Sequence, residues 1–593
     1  MNGLAMSLLL LAPQDGNRLT YLDESDPYYV SRTFPKLTTP QWVGEEGVEA
    51  VVVLAIDDMR GHERWEAYLR PILDRLKKSQ GRAPVSIMTC KIDPQQPHLQ
   101  SWLAEGLSIE CHTVDHPCPL LQGGDFAKAK STYDRCIDLM ASVPGNRPVA
   151  FRMPCCDSMN TPSPRFYAEI FNKTTEKGNF LTIDTSVFNV TTSADRDLPR
   201  ELVIDPDGKE RFRKYIPFPS FVNTIENYPY PYVLGRLCWQ FPCAVPSDWE
   251  AQNIHKPGNP LSLADMKAVI DATVIKKGIF NFVFHPYNWI LNEQVNDIIE
   301  HVEKKHASKV RFLTFREAQD RIDRHLLAGQ ALRRADGGDN GVRLLDLDAD
   351  GFLDVVVANE KLRQTRVWRP ELSTWATFDF PVVLARNPGA RFGIVRKDGR
   401  VSLLLRKDTE AGAWSFDGKA WAEDKALLEG LDSGLFTSQG GHDRGVRLRD
   451  LDRNGICELV VANERQHAVY AWFGEDVGWS KLKIPPPAGA RLVDFAGNDL
   501  GLRFVDLDGD GRDDAVSSND LGWSVHLFKN LTTGWERVRW GRRDADGAVP
   551  PIVRGASSNG AWFHSGHLWV QNEDTAGMKD KVDRRSFSEL LGR

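Results

Sequence analysis

Three near-copies in the second half of the chain limit its fold more than any other feature. They are GVRLLDLDADGFLDVVVANE from residue 341, GVRLRDLDRNGICELVVANE from residue 445 and GLRFVDLDGDGRDDAVSSND from residue 501. The first two start 104 residues apart and the last two 56. Halving the longer interval predicts an eroded copy near residue 393, in FGIVRKDGRVSLLLRKD. One more step reaches GAWFHSGHLWVQNED at residue 560. Five units of about 52 to 56 residues, rich in β-branched and aromatic residues, predict a β-propeller or a similar array of stacked sheets.

Acidic residues alternate in each clear copy before a glycine: Asp346, Asp348 and Asp350; Asp450, Asp452 and Asn454; Asp506, Asp508 and Asp510. An acid closes each run three residues past the glycine, as Asp354, Glu458 and Asp514. Hard oxygens at alternate positions around a sharp turn suit calcium; the plain alternative is a solvated acidic turn. The short span, followed at once by a strand, resembles the FG-GAP/VCBS calcium-loop repeats of propellers. That resemblance implies calcium at these twelve positions.

The first half has another rhythm. Apolar runs such as VEAVVVLAIDD and APVSIMTCKID alternate with amphipathic stretches such as HERWEAYLRPILDRLKKSQG. Strands alternating with helices predict parallel βα units, hence a (β/α) barrel, with an open α/β sheet as the alternative. Between residues 189 and 260 the rhythm breaks into a segment rich in proline and aromatics, which includes PYPYVLGRLCWQFPC. Loops this long are usually functional, and Trp239 and Tyr232 are its candidates for stacking on sugar faces, with a loop that covers the barrel core as the equal alternative. The expected division is an N-terminal arm over 1–45, a barrel over 46–325, a linker over 326–340, propeller-like repeats over 341–580 and a tail over 581–593.

A net charge of −7 over 593 residues argues against nucleic acid as a partner. No apolar run approaches the roughly 20 residues that span a bilayer. The start, MNGLAMSLLLLAPQDG, looks like the apolar part of a signal peptide without its basic region, which makes export the expectation. Eight of nine cysteines precede residue 250. Disulfides and buried thiols both remain open, and the Cys111–Cys118 spacing does not match a structural zinc knuckle.

Polar residues gather where the first-half strands end: Asp57 and Asp58 after VVVLAI, His112 and His116 after LSIE, Arg152 after PVAF, Asp184 after FLTI and His285 after IFNFVF. Barrel enzymes assemble their sites from such positions. In order, the motifs AIDDM, HTVDHP, FRMP, TIDTS and FVFHP resemble the NodB-homology polysaccharide deacetylases, carbohydrate esterase family four, over roughly residues 46 to 320. The resemblance implies a deformed (β/α) barrel and a metal-dependent hydrolase that removes N-acetyl groups from a polysaccharide. It implies that Asp58, His112 and His116 bind zinc, or alternatively cobalt or nickel. Asp57 would be the general base and His285 the general acid, with Arg152 orienting Asp57 and Asp184 holding His285. The first motif departs from the family's Asp-Asp-Gly-Pro by running Asp-Asp-Met-Arg, and His62 just beyond it is a competing ligand. Asp184 lies 101 residues before His285, further than the family's usual spacing. Two other functions stay open: a silent barrel in a calcium-dependent adhesion protein that binds a cell-surface carbohydrate or protein, and a hydrolase of a non-sugar amide.

Overall fold

The computed structural model describes residues 30–593 apart from 32–33, 161–162, 219–220, 386 and 546. The signal-like start lies outside the described residues. The first half is built on strands buried on both faces, which read as continuous apolar runs because helices cover both sides of a parallel sheet. They are β1 (Ala50–Met59), β2 (Val85–Thr89), β3 (Ser108–Cys111), β4 (Ala150–Phe151) and β5 (Ile183–Asp184). Then come β6 (Phe188–Val190), β7 (Thr224–Glu226), β8 (Tyr232–Leu234), β9 (Cys238–Gln240), β10 (Cys243–Ala244), β11 (Ile279–Phe284) and β12 (Val310–Phe312).

The main sheet runs β11-β1-β2-β3-β4-β5-β9-β8, with β12 also on β1. All its pairings are parallel except β8 on β9. Among the described residues no ladder joins β8 back to β11, so the sheet is half-barrel-like rather than a closed barrel. The aromatic-rich insertion is the reason. It supplies β6 to β10, reverses direction at β8 and diverts β10-β6-β7 into a separate parallel sheet. Outside, the helix Glu63–Gln80 buries Trp65, Leu69, Ile72, Leu73 and Leu76 at helical spacing and stops at left-handed Gly81. It packs on the helix Asn292–Lys305, which buries Val295, Ile298, Ile299 and Val302.

Among the described residues five antiparallel sheets of three or four strands follow, over 342–379, 391–423, 446–481, 502–541 and 561–586, with two-stranded hairpins over 438–443 and 553–558 between them. The first four have four strands in chain order and the fifth has three. Each shares an apolar core with the next: Val367 and Phe392 lie in one cluster, Leu404 and Val461 in another, Val460 and Phe504 in a third, Val525 and Leu568 in a fourth. In the three clear copies an aspartate pairs with the arginine four residues on, in the first strand: Asp339 with Arg343, Asp443 with Arg447, Asp499 with Arg503.

The two halves are fused. Trp562, Trp569 and Val582 of the last sheet belong to the same buried cluster as β1, β2 and β3. Val342, Leu353, Val355 and Val357 of the first belong to a cluster with Val51, Val53 and Trp239. The stretch expected as a linker is built in: Leu332 is fully buried, and buried Arg333 donates to the carbonyls of Phe171, Leu181 and Asn172. The expected tail pairs as a strand, Asp583–Ser586, on His567–Val570 and ends in the helix Phe587–Leu591. Because Trp562 serves both halves, Trp562→Ala should lower the stability of the whole chain by about 3–5 kcal/mol, with unfolding still a single transition in urea. Biphasic unfolding with an unchanged first-half midpoint would contradict the shared core.

Candidate active site

At the end of β1 the register with β2 shifts between Ile56 and Met59, and Asp58 takes a left-handed backbone, φ 72°. Such bulges re-aim side chains, and positive φ at a non-glycine residue is costly enough to mark a functional turn. The result turns Asp58 towards the histidines that follow β3. His112 Nε2 lies 3.2 Å and His116 Nε2 2.7 Å from the same oxygen, Asp58 Oδ1. The other oxygen accepts from the Tyr287 hydroxyl at 3.1 Å.

The donor set tests whether a metal fits. His112 Nδ1 is 2.8 Å from the Arg152 carbonyl oxygen, so it must carry the proton and donate. In the neutral ring Nε2 is then a lone pair facing a carboxylate oxygen, acceptor against acceptor. A divalent cation between them resolves the conflict, and a carbonyl on the remote nitrogen is the usual support of a metal-binding imidazole. Burial would raise the Asp58 pKa, but protonated His112 and His116 hydrogen-bonding to it, with the charge of His285, would hold it far below the usual carboxylate range, and a cation in the same place would keep it ionised. The residues fit a site of two nitrogens and one oxygen with open positions.

Beside it lies a fully buried ion pair, Arg152 Nη1 to Asp57 Oδ1 at 2.7 Å. The guanidinium also donates to the Thr185 carbonyl and hydroxyl and to Asn281 Oδ1 within β11, so one side chain joins β4 to β1, β5 and β11. Across the mouth, His285 Nε2 is 4.0 Å from Asp58 Oδ2. Its Nδ1 meets Asp248 Oδ1 at 2.8 Å, and its backbone N–H donates to Asp248 Oδ2. Burial pulls the His285 pKa down, yet the charge and hydrogen bond of Asp248, then Asp58 and Asp57, outweigh it and raise it to about 10.

Three of the expected positions are corrected here. Asp184 does not hold His285: its carboxylate accepts from the Tyr167 and Ser186 hydroxyls, and burial raises its pKa to about 6. Asp248 does that work, from the first turn of the helix Asp248–His255, capped by Ser247. Nothing in the string SDWEA singles it out except the capping pattern; only the insertion's path brings it under His285. Trp239 and Tyr232 are fully buried in strands β9 and β8 and present no ring to solvent. The part-exposed aromatics at the mouth are Tyr287 and Trp289, with ring centroids 5.8 and 4.9 Å from His285. The string FHPYNW carried that signal in its neighbours to His285. His62 stacks on His98, apart from the Asp58 group. A disulfide, Cys118–Cys155, ties the loop after His116 to the loop after Arg152, and the other seven cysteines are buried thiols.

In the acidic loops, Asp346, Asp348 and Asp354 converge, as do Asp450, Asp452 and Glu458. Asp346 accepts from the Asp350 and Gly351 amides, and Asp450 from those of Asn454 and Gly455. The closing acids brace the strands: Asp354 accepts from Leu347 and Trp368, Asp514 from Leu507 and Phe528, Glu458 from Leu451. Asp348 Oδ1 and Asp452 Oδ1 are buried without a hydrogen-bond partner, which fits a cation in these two loops. Burial raises Asp514 to about 7 and Glu458 to about 8, against the pull of the backbone bonds. In the third loop Asp508 and Asp510 are exposed.

Residues 44–163 match the family model described as polysaccharide deacetylase. The N-terminal part carries a polysaccharide deacetylase domain. Comparison with curated proteins finds no match. Among solved structures, a Mycobacterium smegmatis protein assigned as a polysaccharide deacetylase is 16% identical, with a TM-score of 0.32, over 51% of this chain and 96% of its own. The peptidoglycan deacetylase of Bacillus subtilis is 15% identical with a TM-score of 0.27, over 47% of this chain and 95% of its own. A family 4 carbohydrate esterase of Streptomyces lividans is 13% identical with a TM-score of 0.25, over 44% and 91%. At these TM-scores the likenesses add nothing to the family match.

Arg152→Met should destabilise the chain by about 3–5 kcal/mol, because it strands the buried Asp57 carboxylate. Denaturant melts check this; a change below about 1 kcal/mol would mean Asp57 is otherwise neutralised.

Proposed function

We propose that the first half is a metal-dependent deacetylase that hydrolyses N-acetyl groups of an N-acetylated polysaccharide, with residues 46–325 as the catalytic unit. The observation that carries this reading is the acceptor-to-acceptor contact of His112 and Asp58 beside two oriented groups, Asp57 on Arg152 and His285 on Asp248. Asp58, His112 and His116 would hold a divalent transition metal, zinc by the chemistry of two imidazoles and a carboxylate. When bound there it polarises an amide carbonyl and favours a water nucleophile near neutral pH. Asp57 takes the proton of the water that adds to the acetyl carbon. His285, kept protonated by Asp248, delivers a proton from Nε2 to the amide nitrogen as the C–N bond breaks, leaving acetate and a free amine. Tyr287 holds Asp58 in place, and Tyr287 with Trp289 forms an aromatic wall against which a sugar ring can stack.

We read the five sheets as the blades of a β-propeller that binds a cell-surface carbohydrate or protein ligand, with calcium in the first and third sheets' loops and, less completely lined, in the fourth's. The Cys118–Cys155 disulfide supports an exported protein, since such bonds persist in oxidising compartments. Among the described residues no helix is long and apolar enough to cross a membrane.

Acetate release from chitin oligomers and peptidoglycan fragments tests the activity. Asp248→Asn should retain bound metal while turnover falls about 10²–10⁴-fold, and His112→Ala should lose both; unchanged turnover in Asp248→Asn would remove the His285 pair from the chemistry. For the loops, the whole chain is the right sample because the cores are shared. A calcium-selective chelator should lower its Tm, by about 2.7 kcal/mol of stability per site at a hundredfold excess of calcium over Kd. The double change Asp348→Ala and Asp452→Ala should abolish that calcium response. An identical Tm with and without calcium would make the loops ordinary acidic turns.

A further inference from the structure

Away from the strand ends, on the outer helical layer, a second carboxylate gathers two imidazoles. Asp271 lies in the helix Pro260–Lys276 and is nearly buried. His301 lies in the last turns of the helix Asn292–Lys305, and His306 caps that helix. His301 Nε2 is 2.8 Å and His306 Nε2 2.7 Å from one oxygen, Asp271 Oδ1. Lys305 Nζ is 2.8 Å from the other, Oδ2.

This repeats the arrangement around Asp58, where two Nε2 atoms also converge on a single Oδ1. An Nε2 serves a carboxylate through an N–H and a metal through a lone pair, so the same convergence suits a cation once the rings adopt the other tautomer. A tetrahedral metal at about 2.0–2.2 Å from imidazole nitrogen and carboxylate oxygen asks each Nε2 to move roughly half an ångström further from Asp271 Oδ1. Lys305 is no obstacle: its charge sits on the far oxygen, and its side chain is 54% exposed and free to swing out. His301 borders an open cleft of about 500 Å³ that reaches solvent and is also lined by Asp297, Glu300, Lys267, Lys304 and Lys305. Both imidazoles are largely covered, at 19% and 11% exposure, so their positions are set by packing rather than chance.

We propose that Asp271, His301 and His306 form a second, peripheral site for a divalent transition metal of the zinc class, with water completing the coordination. The ion links the helix Pro260–Lys276 to the end of the helix Asn292–Lys305. Imidazole and carboxylate together select zinc, nickel or copper over calcium or magnesium, which favour all-oxygen sites. The site stands apart from the deacetylase reading and does not depend on it.

The test is zinc content of the full chain, stripped with chelator, reloaded with zinc in excess calcium and desalted. Wild type should hold about two zinc ions per chain. His301→Ala with His306→Ala should hold about one and release acetate at the wild-type rate. In a His112→Ala, His116→Ala background one ion should remain, and it should disappear when the 301 and 306 changes are added. In that same background Asp271→Asn, which preserves the packing, should lower zinc occupancy at least tenfold at limiting zinc. If the 301 and 306 changes leave zinc content unaltered in both backgrounds, the cluster is an ion-pair network and the proposal is overturned. If zinc persists only at 271, 301 and 306, the proposal stands and the reading of the Asp58 site fails.

Discussion

Arg152 is the pivot of the first half. Its guanidinium is wholly removed from water, which is tolerable only because Asp57 neutralises it and Thr185 and Asn281 satisfy its remaining donors. Those partners come from β1, the end of β5 and β11, so the charge can be satisfied only when the sheet has formed. Its carbonyl oxygen meanwhile sets the tautomer of His112. One residue therefore aligns the carboxylate on one side of the site and the imidazole on the other.

Around that pivot, polar groups are held by rigid neighbours. The bulge in β1 and the left-handed Asp58 direct a carboxylate outward, and the Cys118–Cys155 bridge ties together the loops that carry His116 and Arg152. The insertion, which opens the sheet, also supplies Asp248. Its fully buried carboxylate accepts from both the ring and the backbone N–H of His285, so the imidazole has a fixed orientation. The last and first of the small sheets close over the outside of the same domain through Trp562, Trp569 and Val355. The described residues of the two halves thus share buried cores, and the repeats help to bury the deacetylase domain.

Much of this was legible in the string. Local periodicity marked the strands of both halves, because burial on two faces demands continuous apolar runs and burial on one demands alternation. The repeated DxD runs marked the loops, and the motif order marked Asp57 and Asp58 at the end of β1 and His112, His116, Arg152 and His285 shortly after their strands. Asp248 was not legible, because it reaches His285 through a path of five short strands, β6 to β10, rather than from a strand end with a motif of its own. Trp239 and Tyr232 misled for a related reason: an aromatic-rich insertion reads alike whether its rings face substrate or fill a core.

The sequence alone determined which residues end the strands, where the acidic turns fall and that two rhythms share the chain, because these depend on neighbours within a few residues. Tertiary structure alone decided that the sheet stays open, that Asp248 rather than Asp184 supports His285, and that Asp271 meets His301 and His306. It also decided that the stretch between the halves is buried. Each of these depends on contacts between segments tens to hundreds of residues apart, where the satisfaction of buried charge and the filling of a shared core outweigh any local preference.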